Sequence, residues 1–539
     1  MDPGAAEVSK VVIMAFQNTL TWKNMVHDGQ ENMYHIRYES EVGIFEKEMA
    51  AGPKRYPIIL GGQRLEARSH FDDISPIDAS MIVGKFPSAT KEDVDRAVEA
   101  AQGAFNSWSH TDHLTRAKIF ERAADLMDEE RFRFSAALTF DNGKDRDEAI
   151  AETDEAIDFI RWYVDAMRRN NGYEQDMHRP YEDERPKSLM RPYGVWAVVC
   201  PFNFPLAISC GMMSGAMITG NTVVAKPSSP APLPVYLLYD VLERAGLPGG
   251  VMNVVSGSGA EVGDHLVQHP GISGTVFTGS KDVGYDIIRK SLKKYPTPVI
   301  AEMGGKNAAL VMASADQVKA AKGIIQSAFS FSGQKCSACS RVYVHESIYD
   351  PFMKELVKRT EALVVGDPRK KGTFVGPVIH AKAVQDYERY VEMARKDGKV
   401  LTGGKIVKPE GVDGKLYAAP TIVGGLPDDH FLVMNELFVP ILCVLKCRSV
   451  EDAVRKSNSV DFGLTSGIFT KEQQELQYYF DNIEAGVCYA NRARGATTGA
   501  MVGGQPFGGW KASGSTGKGT GTDLYLTQFM RQQARTIGM

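Results

Sequence analysis

Apolar residues recur every three or four positions along much of the first third of the chain, a spacing typical of amphipathic helices. One predicted helix face carries Val94, Ala97, Val98, Ala101 and Phe105. The spacing predicts helices over residues 91–109, 113–143 and 148–169. The charged stretch before them, residues 1–55, is predicted to be a helical lead-in that packs on the outside.

A polar strip at 170–187 indicates an exposed hairpin or a linker, and beyond it short apolar runs alternate with helical segments. Strands are predicted at 195–199, 222–226, 252–255, 274–278 and 299–302. This alternation predicts a doubly wound parallel sheet, which binds a nucleotide at the carboxyl ends of its strands. A second alternating region from 308 to 489 has predicted strands at 341–345, 421–423, 441–447, 466–469 and 487–491, and the tail at 523–531 is predicted to be a last strand or a short helix.

The segment from Pro192 to Ala225 carries no charged residue and is long enough to cross a bilayer, which takes ~20 residues. Pro201 and Pro205 interrupt it early, however, and glycines dilute its second half. Strands that are covered on both faces of a parallel sheet are just as continuously apolar. We therefore interpret the segment as strand, loop, helix and strand, and predict no membrane span.

Composition and charge exclude some functional classes. The 539 residues have a formal net charge of −4, whereas a nucleic-acid surface would show a basic excess. The cysteine count is seven, an odd number, and the start has no signal-peptide pattern, so we expect a reducing compartment and a cytoplasmic protein. The length predicts two or three domains.

Cys336 lies in the stretch Gly333–Cys339, directly after Lys335. Exposed backbone and a nearby positive charge would lower the pKa of its thiol and make it a nucleophile. Two other interpretations remain open, a small buried hydrophobe and a Cys-x-x-Cys redox pair with Cys339. A closed zinc site needs two more ligands, and the Cys443–Cys447 pair has a different spacing, so no metal is predicted.

Two polar residues stand where predicted strands end. Asn203 follows the strand 195–199, and its side-chain amide could donate to an oxyanion or, as an alternative, bond its own backbone in a turn. Glu302 ends the strand 299–302 before two glycines, where burial would raise the pKa of a general base. A capping or ion-paired carboxylate is the alternative for Glu302.

Two glycine-rich stretches are candidate phosphate loops. Gly279–Gly284 follows a strand and precedes a helix predicted at 285–291, but no Lys-Ser/Thr follows it, so it is not a Walker A loop. Gly257–Gly263 differs from the dinucleotide fingerprint in its glycine spacing. Either stretch could be an ordinary strand-to-helix turn, although helix N-termini offer free N–H groups to a pyrophosphate.

The chain resembles the aldehyde dehydrogenase superfamily from about residue 55 to 535. Five motifs occur in the order and spacing of that family: Pro201–Pro205, Phe277–Ser280, Glu302–Lys306, Gly333–Cys336 and Asn435–Phe438. The resemblance implies an α/β fold with a Rossmann-type NAD-binding domain at 56–169 and 188–302. It also implies an α/β catalytic domain at 303–504 and a small β oligomerisation element, at 170–187 and 505–539, in a homo-oligomer.

The resemblance also implies roles for single residues. Cys336 would be the nucleophile, Glu302 the base for thioester hydrolysis and Asn203 the oxyanion donor. Lys226 and Glu436 would bind the two riboses of NAD, Phe438 would contact the nicotinamide, and Gly259, Gly279 and Ser280 would line the diphosphate and adenine side. Further candidates for cofactor binding are Phe202, Ser229, Gly263, Thr278, Val283 and Gly304. NAD-specific relatives often carry Glu at the position of Ser229, so we expect NAD as cofactor with NADP tolerated.

Three stretches near the end, Asn491–Arg492, Thr497–Ala500 and Gln505–Gly509, resemble one branch of this family. Its members oxidise glutamate γ-semialdehyde, formed from 1-pyrroline-5-carboxylate, in proline catabolism. There the substrate carboxylate meets the hydroxyl after the nucleophile and the N–H groups of a glycine loop. The matching substrate-binding candidates are Ser337, Gly499 and Ala500 for the carboxylate, Phe204 and Phe507 for the aliphatic chain, Lys335 beside the nucleophile, and Glu148, with Glu152 as the alternative, for the ammonium.

Three other functions remain open from the sequence. The chain could be a dehydrogenase for another semialdehyde or an aliphatic aldehyde, a thiol hydrolase without cofactor, or a catalytically silent protein of the same fold. The presence of Asn203, Glu302 and Cys336 together argues against the silent protein.

Overall fold

The computed structural model describes residues 16–292 and 295–539. Residues 1–15 of the predicted lead-in lie outside the described residues. The rest of that segment forms α1 (Thr21–His27) and α2 (Glu31–Ala50). Tyr34 and Tyr38 of α2 are fully buried, and their hydroxyls donate to the Arg146 carbonyl (2.6 Å) and bond Thr139 Oγ1 (2.7 Å). α2 therefore packs on the outside through one buried face, while most of its other residues are exposed.

Four short strands and four long helices follow. They are β1 (Ile58–Leu60), β2 (Gln63–Leu65), β3 (His70–Ile74), β4 (Ile82–Pro87), α3 (Lys91–His110), α4 (His113–Glu129), α5 (Arg131–Asn142) and α6 (Arg146–Arg169). The stretch predicted as one helix over 113–143 is thus two helices. Glu130, with φ −102° and ψ 15°, leaves the helical path between them. No glycine or proline marks this break, so the apolar spacing continues through it.

The turn between α5 and α6 has defined geometry at both ends. α5 ends at Gly143, whose φ of +78° is a left-handed conformation that favours glycine. Asp145 then caps α6, because its Oδ1 accepts the N–H groups of Asp147 (2.9 Å) and Glu148 (3.0 Å). This fixes the direction in which α6 presents its side chains.

The next part of the chain builds the first large sheet. Its elements are β5 (Glu174–Asp176), β6 (Glu184–Pro192), β7 (Val195–Val199), α7 (Ala207–Ile218), β8 (Thr222–Lys226), α8 (Leu233–Arg244), β9 (Met252–Val254), α9 (Asp264–Gln268), β10 (Gly274–Thr278), α10 (Lys281–Lys290) and β11 (Val299–Glu302). The seven-stranded sheet has the order β11-β10-β7-β8-β9-β1-β2, parallel from β11 to β9 and antiparallel at β1 and β2.

The strand order of this sheet reverses between β7 and β10. Crevices at such switch points are where doubly wound sheets bind ligands. Asn203 lies in the loop after β7, and Gly279 and Ser280 directly follow β10. One expectation changes here, because α10 begins at Lys281 and not at 285, so most of Gly279–Gly284 is helix and not loop.

α7, in the middle of the uncharged segment, has 12 residues. At ~1.5 Å per residue it is far shorter than the ~30 Å hydrocarbon core of a bilayer. No helix within residues 16–292 and 295–539 is long and apolar enough to span a membrane.

The second large sheet follows directly. Its region contains β12 (Asn307–Val311), α11 (Gln317–Phe329), β13 (Cys339–His345), α12 (Tyr349–Glu361), α13 (Ala381–Asp397), β14 (Lys399–Thr402), β15 (Thr421–Gly424), α14 (Phe431–Met434), β16 (Ile441–Cys447), α15 (Val450–Asn458), β17 (Phe462–Gly463), β18 (Thr465–Phe469), α16 (Gln473–Asn482) and β19 (Val487–Ala490). The order is β14-β15-β16-β13-β12-β18-β19, parallel except at β14. Two mostly parallel sheets with flanking helices confirm the predicted α/β class.

The tail adds β20 (Trp510–Lys511), α17 (Asp523–Thr527) and β21 (Met530–Gly538). The stretch predicted as a strand or a short helix is therefore a short helix followed by a strand. β21 pairs antiparallel with β6 along nine residues, and β6 pairs with β5. The polar strip and the tail thus share one three-stranded sheet, in which residues 531–538 are exposed.

Candidate active site

The chain crosses from the first sheet to the second between Glu302 and Asn307. Glu302, the last residue of β11, lies beside Thr278 at the end of β10, and its carbonyl accepts the Gly279 N–H (3.1 Å). Asn307 begins β12, and its side-chain amide donates to the carbonyls of Cys336 (2.7 Å) and Ala338 (2.9 Å). Through these hydrogen bonds the crossing segment 302–307 holds the main chain at Cys336 close to the ends of β10 and β11.

Cys336 is mostly buried just before β13. Burial, and to a smaller extent the carboxyls of Glu436 and Glu302, raise the pKa of its thiol to about 12, whereas the N–H groups of Ser337 and Cys336 oppose the rise. The expectation that a nearby positive charge lowers this pKa is therefore wrong. The physical reason is the burial of the thiol, and the Lys335 ammonium is itself paired with Glu148 Oε2 at 2.5 Å.

Glu302 presents one satisfied and one unsatisfied oxygen. Oε2 accepts the Gly509 N–H at 3.0 Å, while Oε1 is buried without a hydrogen-bond partner among the described residues. Burial raises the pKa of this carboxyl to about 8, against a smaller lowering by Gly509. A carboxyl with such a pKa can exchange a proton near neutral pH, which suits a general base.

Asn203 is buried in the loop between β7 and α7. Its Oδ1 accepts the Phe204 N–H at 3.1 Å, and its carbonyl accepts from Lys144 Nζ at 2.6 Å. Within the described part of the chain its Nδ2 donates no hydrogen bond. The side chain therefore keeps two N–H donors for another acceptor.

One cavity of about 360 Å³ brings together Cys336 and all seven substrate-binding candidates from the sequence. These seven are Glu148, Phe204, Lys335, Ser337, Gly499, Ala500 and Phe507. Sequence reasoning missed other lining residues, Thr19, Leu20, Trp22 and Lys23 from the N-terminal segment, Glu155 from α6, and Arg492 and Arg494. Only the apolar spacing around Trp22 could have marked the N-terminal segment as part of the core.

The glycine loop at 497–500 is tied to the segment of the thiol. Thr497 Oγ1 donates to the Ser337 carbonyl at 2.7 Å. The Arg492 guanidinium donates to the carbonyls of Thr498 (2.6 Å) and Gly499. Gly499 has a φ of +80°, which a side chain would strain. The Thr497 N–H donates to Ser327 Oγ at 3.1 Å, whereas the N–H groups of Gly499 and Ala500 donate no hydrogen bond within the described residues and remain available to an anion in the cavity.

Helix α6 supplies three glutamates to the cavity at successive turns. Burial raises the pKa of Glu148, but the Lys335 ammonium together with Lys144 and the Ser330 hydroxyl lowers it more, so the net shift is downward. The Glu152 carboxylate pairs with Lys144. Glu155 has no hydrogen-bond or ion-pair partner among the described residues, and burial raises the pKa of its carboxyl to about 8. Glu155 is therefore the carboxyl of this face that is free to meet a ligand.

The Glu436 carboxylate rests on the glycines of the crossing segment. Its Oε1 accepts the Gly305 N–H at 2.8 Å, and a Cβ on Gly304 would overlap the carboxylate. Burial raises the pKa of Glu436 to about 7. Two residues on, Phe438 has a φ of +57°, and its ring lies 5.8 Å from that of Phe202 in an edge-on arrangement.

Lys226 ends β8 and is buried, so the pKa of its ammonium is lowered to about 8. Its Nζ donates to the Pro227 carbonyl at 2.9 Å, and a Cβ on Gly263 would lie 3.7 Å from its Cδ. The Ser229 hydroxyl donates to the Gly257 carbonyl at 3.0 Å. Gly259 has open space around its Cα. Lys226, Ser229 and the cofactor-site candidates Gly259 and Gly263 thus lie around the ends of β8 and β9.

Ser280 caps α10, because its hydroxyl accepts the Val283 N–H at 3.4 Å. Gly279 packs against the ring of Phe277, which leaves no space for a Cβ, and the Thr278 hydroxyl lies 3.5 Å from the Met212 sulfur. The alternative interpretation of this stretch as a structural turn accounts for these contacts. Val283, in the first turn of α10, is half exposed.

No group of three or more metal-ligating side chains that could hold an ion is found within residues 16–292 and 295–539.

Comparison with known proteins agrees with this geometry. The model of the aldehyde dehydrogenase family matches residues 64–534. The chain is 39% identical over 502 residues to a 1-pyrroline-5-carboxylate dehydrogenase from Geobacillus thermodenitrificans, covering 92% of this chain and 95% of the relative. A relative of the same description from Geobacillus kaustophilus is 38% identical over 507 residues, covering 93% and 94%.

A solved structure of 1-pyrroline-5-carboxylate dehydrogenase from Thermus with bound NAD superposes with a TM-score of 0.91. It is 32% identical and covers 98% of this chain and 100% of its own. The resemblance inferred from five motifs is confirmed. The chain belongs to the aldehyde dehydrogenase family.

Proposed function

We propose that this chain oxidises L-glutamate γ-semialdehyde, formed from 1-pyrroline-5-carboxylate, to L-glutamate with NAD, in proline catabolism. The observation that carries the proposal is the cavity of about 360 Å³, which is lined by Cys336 together with Ser337, Gly499, Ala500 and two phenylalanines. Its relatives named above support the same substrate.

The charges around the cavity support a small substrate with both a carboxylate and an ammonium. Ser337 and the loop at Gly499 and Ala500 would hold the carboxylate, since N–H groups of a glycine loop form an anion site. Lys23, Arg492 and Arg494 add positive charge at the lining. Phe204 and Phe507 would enclose the methylene chain. Glu155, rather than the ion-paired Glu148, would meet the ammonium.

The residues at the switch point fit a dinucleotide. Lys226 and Glu436 offer ribose-binding groups, and the glycines at 304 and 305 make a cradle in which the Glu436 carboxylate is already held. We propose that Phe202, Lys226, Ser229, Gly259, Gly263, Thr278, Gly279, Ser280, Val283, Gly304, Glu436 and Phe438 form the cofactor site. When bound, NAD supplies a positively charged hydride acceptor. Ser229 carries no charge against a 2′-phosphate, so NADP would be tolerated.

The chemistry begins with the thiol of Cys336. Burial raises its pKa to about 12, so a base must take its proton as the sulfur attacks. Two carboxyls act on the thiol and can accept that proton, Glu436 with a pKa of about 7 and Glu302 with a pKa of about 8. The sulfur bonds to the aldehyde carbon and the carbonyl becomes an oxyanion. Asn203 Nδ2 and the Cys336 N–H would stabilise that oxyanion, and each such donor contributes about 3 kcal/mol. Loss of hydride from the tetrahedral carbon leaves a thioester.

The second half of the reaction is hydrolysis of the thioester. The thiol proton is first released to solvent, so that Glu302 is again a carboxylate. It then takes a proton from water, whose oxygen attacks the thioester carbon, and the Cys336 sulfur leaves as a thiolate that regains a proton from Glu302. The buried Oε1 of Glu302, which has no partner among the described residues, is the acceptor for the proton from water. The product therefore carries a second carboxylate, formed at the carbon that was bonded to Cys336.

Two coarser properties are also proposed. The exposed strand β21 leaves one main-chain edge unpaired within the described residues, and such edges are usually covered, so we propose a homo-oligomer built through the sheet of 170–187 and 505–539. We propose a cytoplasmic enzyme, with 56–169 and 188–302 as the dinucleotide-binding domain and 303–504 as the catalytic domain.

The experiment is a substrate panel followed by NADH absorbance, with glutamate semialdehyde, succinate semialdehyde and hexanal. We expect the highest kcat/KM with glutamate semialdehyde, and a selective loss for both carboxylated substrates in Ser337→Ala. A general aliphatic aldehyde dehydrogenase would have its highest kcat/KM with hexanal, and Ser337→Ala would leave its kcat/KM values unchanged. Glu155→Gln should lower kcat/KM for the ammonium-bearing substrate more than for succinate semialdehyde, and Asp165→Asn on the exposed side of α6 is the control.

A further inference from the structure

The turn Asn142–Lys144 holds two successive carbonyls of the loop that carries Asn203. Asn142 Nδ2 donates to the Phe202 carbonyl at 3.2 Å, and Lys144 Nζ donates to the Asn203 carbonyl at 2.6 Å. The turn and the loop are about sixty residues apart in sequence. Neither Asn142 nor Lys144 lines the cavity. Both therefore act on the loop from behind.

The ammonium of Lys144 is fully buried and has four contacts. Besides the Asn203 carbonyl, it pairs with the Glu152 carboxylate, lies 3.7 Å from the centre of the Phe204 ring and lies 4.7 Å from that of Phe331. Phe204 is the cavity residue directly after Asn203. The Lys144 ammonium thus contacts both the main-chain carbonyl of Asn203 and the ring of Phe204, which lines the cavity.

Glu152 extends this contact to the other end of the loop. Its Oε1 accepts the N–H groups of Leu206 (2.9 Å) and Ala207 (3.1 Å), where α7 begins. The Lys144–Glu152 pair therefore spans the loop, from the Asn203 carbonyl to the start of α7. The turn itself cannot shift easily, because a Cβ on Gly143 would lie 2.7 Å from Pro377.

We infer that Asn142 and Lys144 are positioning residues that hold the Asn203 amide in register with the Cys336 thiol. The inference rests on the proposed function, in which Asn203 stabilises the oxyanion. Oxyanion donors act only when they are aligned with the charge that develops, and a displacement of ~1 Å can lower a rate by about a hundredfold. A buried ion pair is by itself weak evidence for stability, so a role in alignment is the better reason for this one.

The test compares Lys144→Met/Glu152→Gln with the wild type. Removing either partner alone would leave a buried unpaired charge, whereas the double change removes both charges and keeps an acceptor for the start of α7. We expect the double variant to fall roughly tenfold to a hundredfold in the single-turnover rate of NADH formation, with KM changed less than threefold. The rate of Cys336 alkylation by iodoacetamide should stay within twofold, because the thiol is not touched.

A double-mutant cycle separates alignment from a general structural role. In an Asn203→Ala background, Lys144→Met/Glu152→Gln should lower the single-turnover rate less than threefold, because the side-chain amide that Lys144 positions is gone. Equal losses in both backgrounds would overturn the inference, as would an unchanged rate in a folded double variant. If the double variant loses its thermal transition, the same cycle is run with Asn142→Ala and with Lys144→Arg, where the conservative Arg should retain most of the rate.

The rates are measured with the best aldehyde of the wild type. If the wild type is inactive on glutamate semialdehyde but active on another aldehyde, the proposed substrate is wrong. The test of Asn142 and Lys144 as positioning residues can still be carried out with that other aldehyde.

Discussion

The ammonium nitrogen of Lys335 lies 2.5 Å from Oε2 of Glu148 and joins the segment of the nucleophile to helix α6. Both side chains are largely buried, and both line the cavity. The positive charge next to Cys336 is thus ion-paired, and burial raises the pKa of the thiol to about 12. Lys335 therefore shapes the cavity wall and leaves activation of the thiol to other groups.

Glu148→Gln should lower the pKa of the Cys336 thiol, because it frees the Lys335 ammonium. A change of about one unit corresponds to ~1.4 kcal/mol of interaction. The rate of alkylation by iodoacetamide, measured against pH, should move to lower pH by that amount. The matched control is Asp165→Asn, which removes an exposed pair with Arg169 on the same helix. An unchanged alkylation profile would show that Lys335 does not control the thiol.

The rate of thioester hydrolysis should follow the ionisation of Glu302. Folding raises the pKa of this carboxyl to about 8, so the carboxylate needed as a base is depleted below that pH. We expect the hydrolysis rate to rise about tenfold per unit below pH 8 and to level off above it. Single-turnover acyl transfer, monitored after the NADH burst, measures this rate. A profile that is already flat between pH 6 and 8 would exclude Glu302 as the base.

Gly304→Ala should impair cofactor binding, because the new methyl group would overlap the Glu436 carboxylate. The KM for NAD should rise at least about tenfold, the equivalent of ~1.4 kcal/mol, while the alkylation rate of Cys336 changes little. Gly103→Ala is the control, since a Cβ there meets nothing within 4 Å. Equal KM values for the two variants would mean that Glu436 does not contact the cofactor.

The preference for NAD over NADP tests whether an uncharged residue at Ser229 lets NADP bind. The wild type should prefer NAD over NADP by less than about a thousandfold in kcat/KM, or ~4 kcal/mol. Ser229→Glu should widen that preference at least tenfold, because a carboxylate there repels a 2′-phosphate. Ser229→Ala, which removes only the hydrogen bond to the Gly257 carbonyl, is the control. Wild-type discrimination above a thousandfold would refute the prediction.

The alternation of apolar runs was sufficient to predict the first sheet, since β7 to β11 were all expected within one residue of their bounds. It did not mark the break at Glu130, because the apolar face continues through it. It also did not mark β12, a five-residue strand directly after a glycine-rich stretch. Short strands without turn signals on both sides carry too little pattern to predict.

In the site, the family resemblance carried by the motifs was sufficient to group eight lining residues of one cavity. Pairing of charges was not predictable in the same way. Lys335 was expected to activate its neighbour Cys336, but its partner Glu148 is 187 positions away. The Lys144–Asn203 contact is equally non-local. Contacts of this kind depend on how separate elements pack, and a single sequence does not display that.

In the proposed mechanism Cys336 carries the substrate as a thioester that Glu302 hydrolyses. The most direct test is mass spectrometry of Glu302→Gln, mixed with glutamate semialdehyde and NAD and quenched with acid after one burst of NADH. We predict a glutamyl adduct on the peptide that contains Cys336, absent when NAD is omitted. A full burst of NADH with every cysteine unmodified, or with the adduct on another cysteine, would contradict the account.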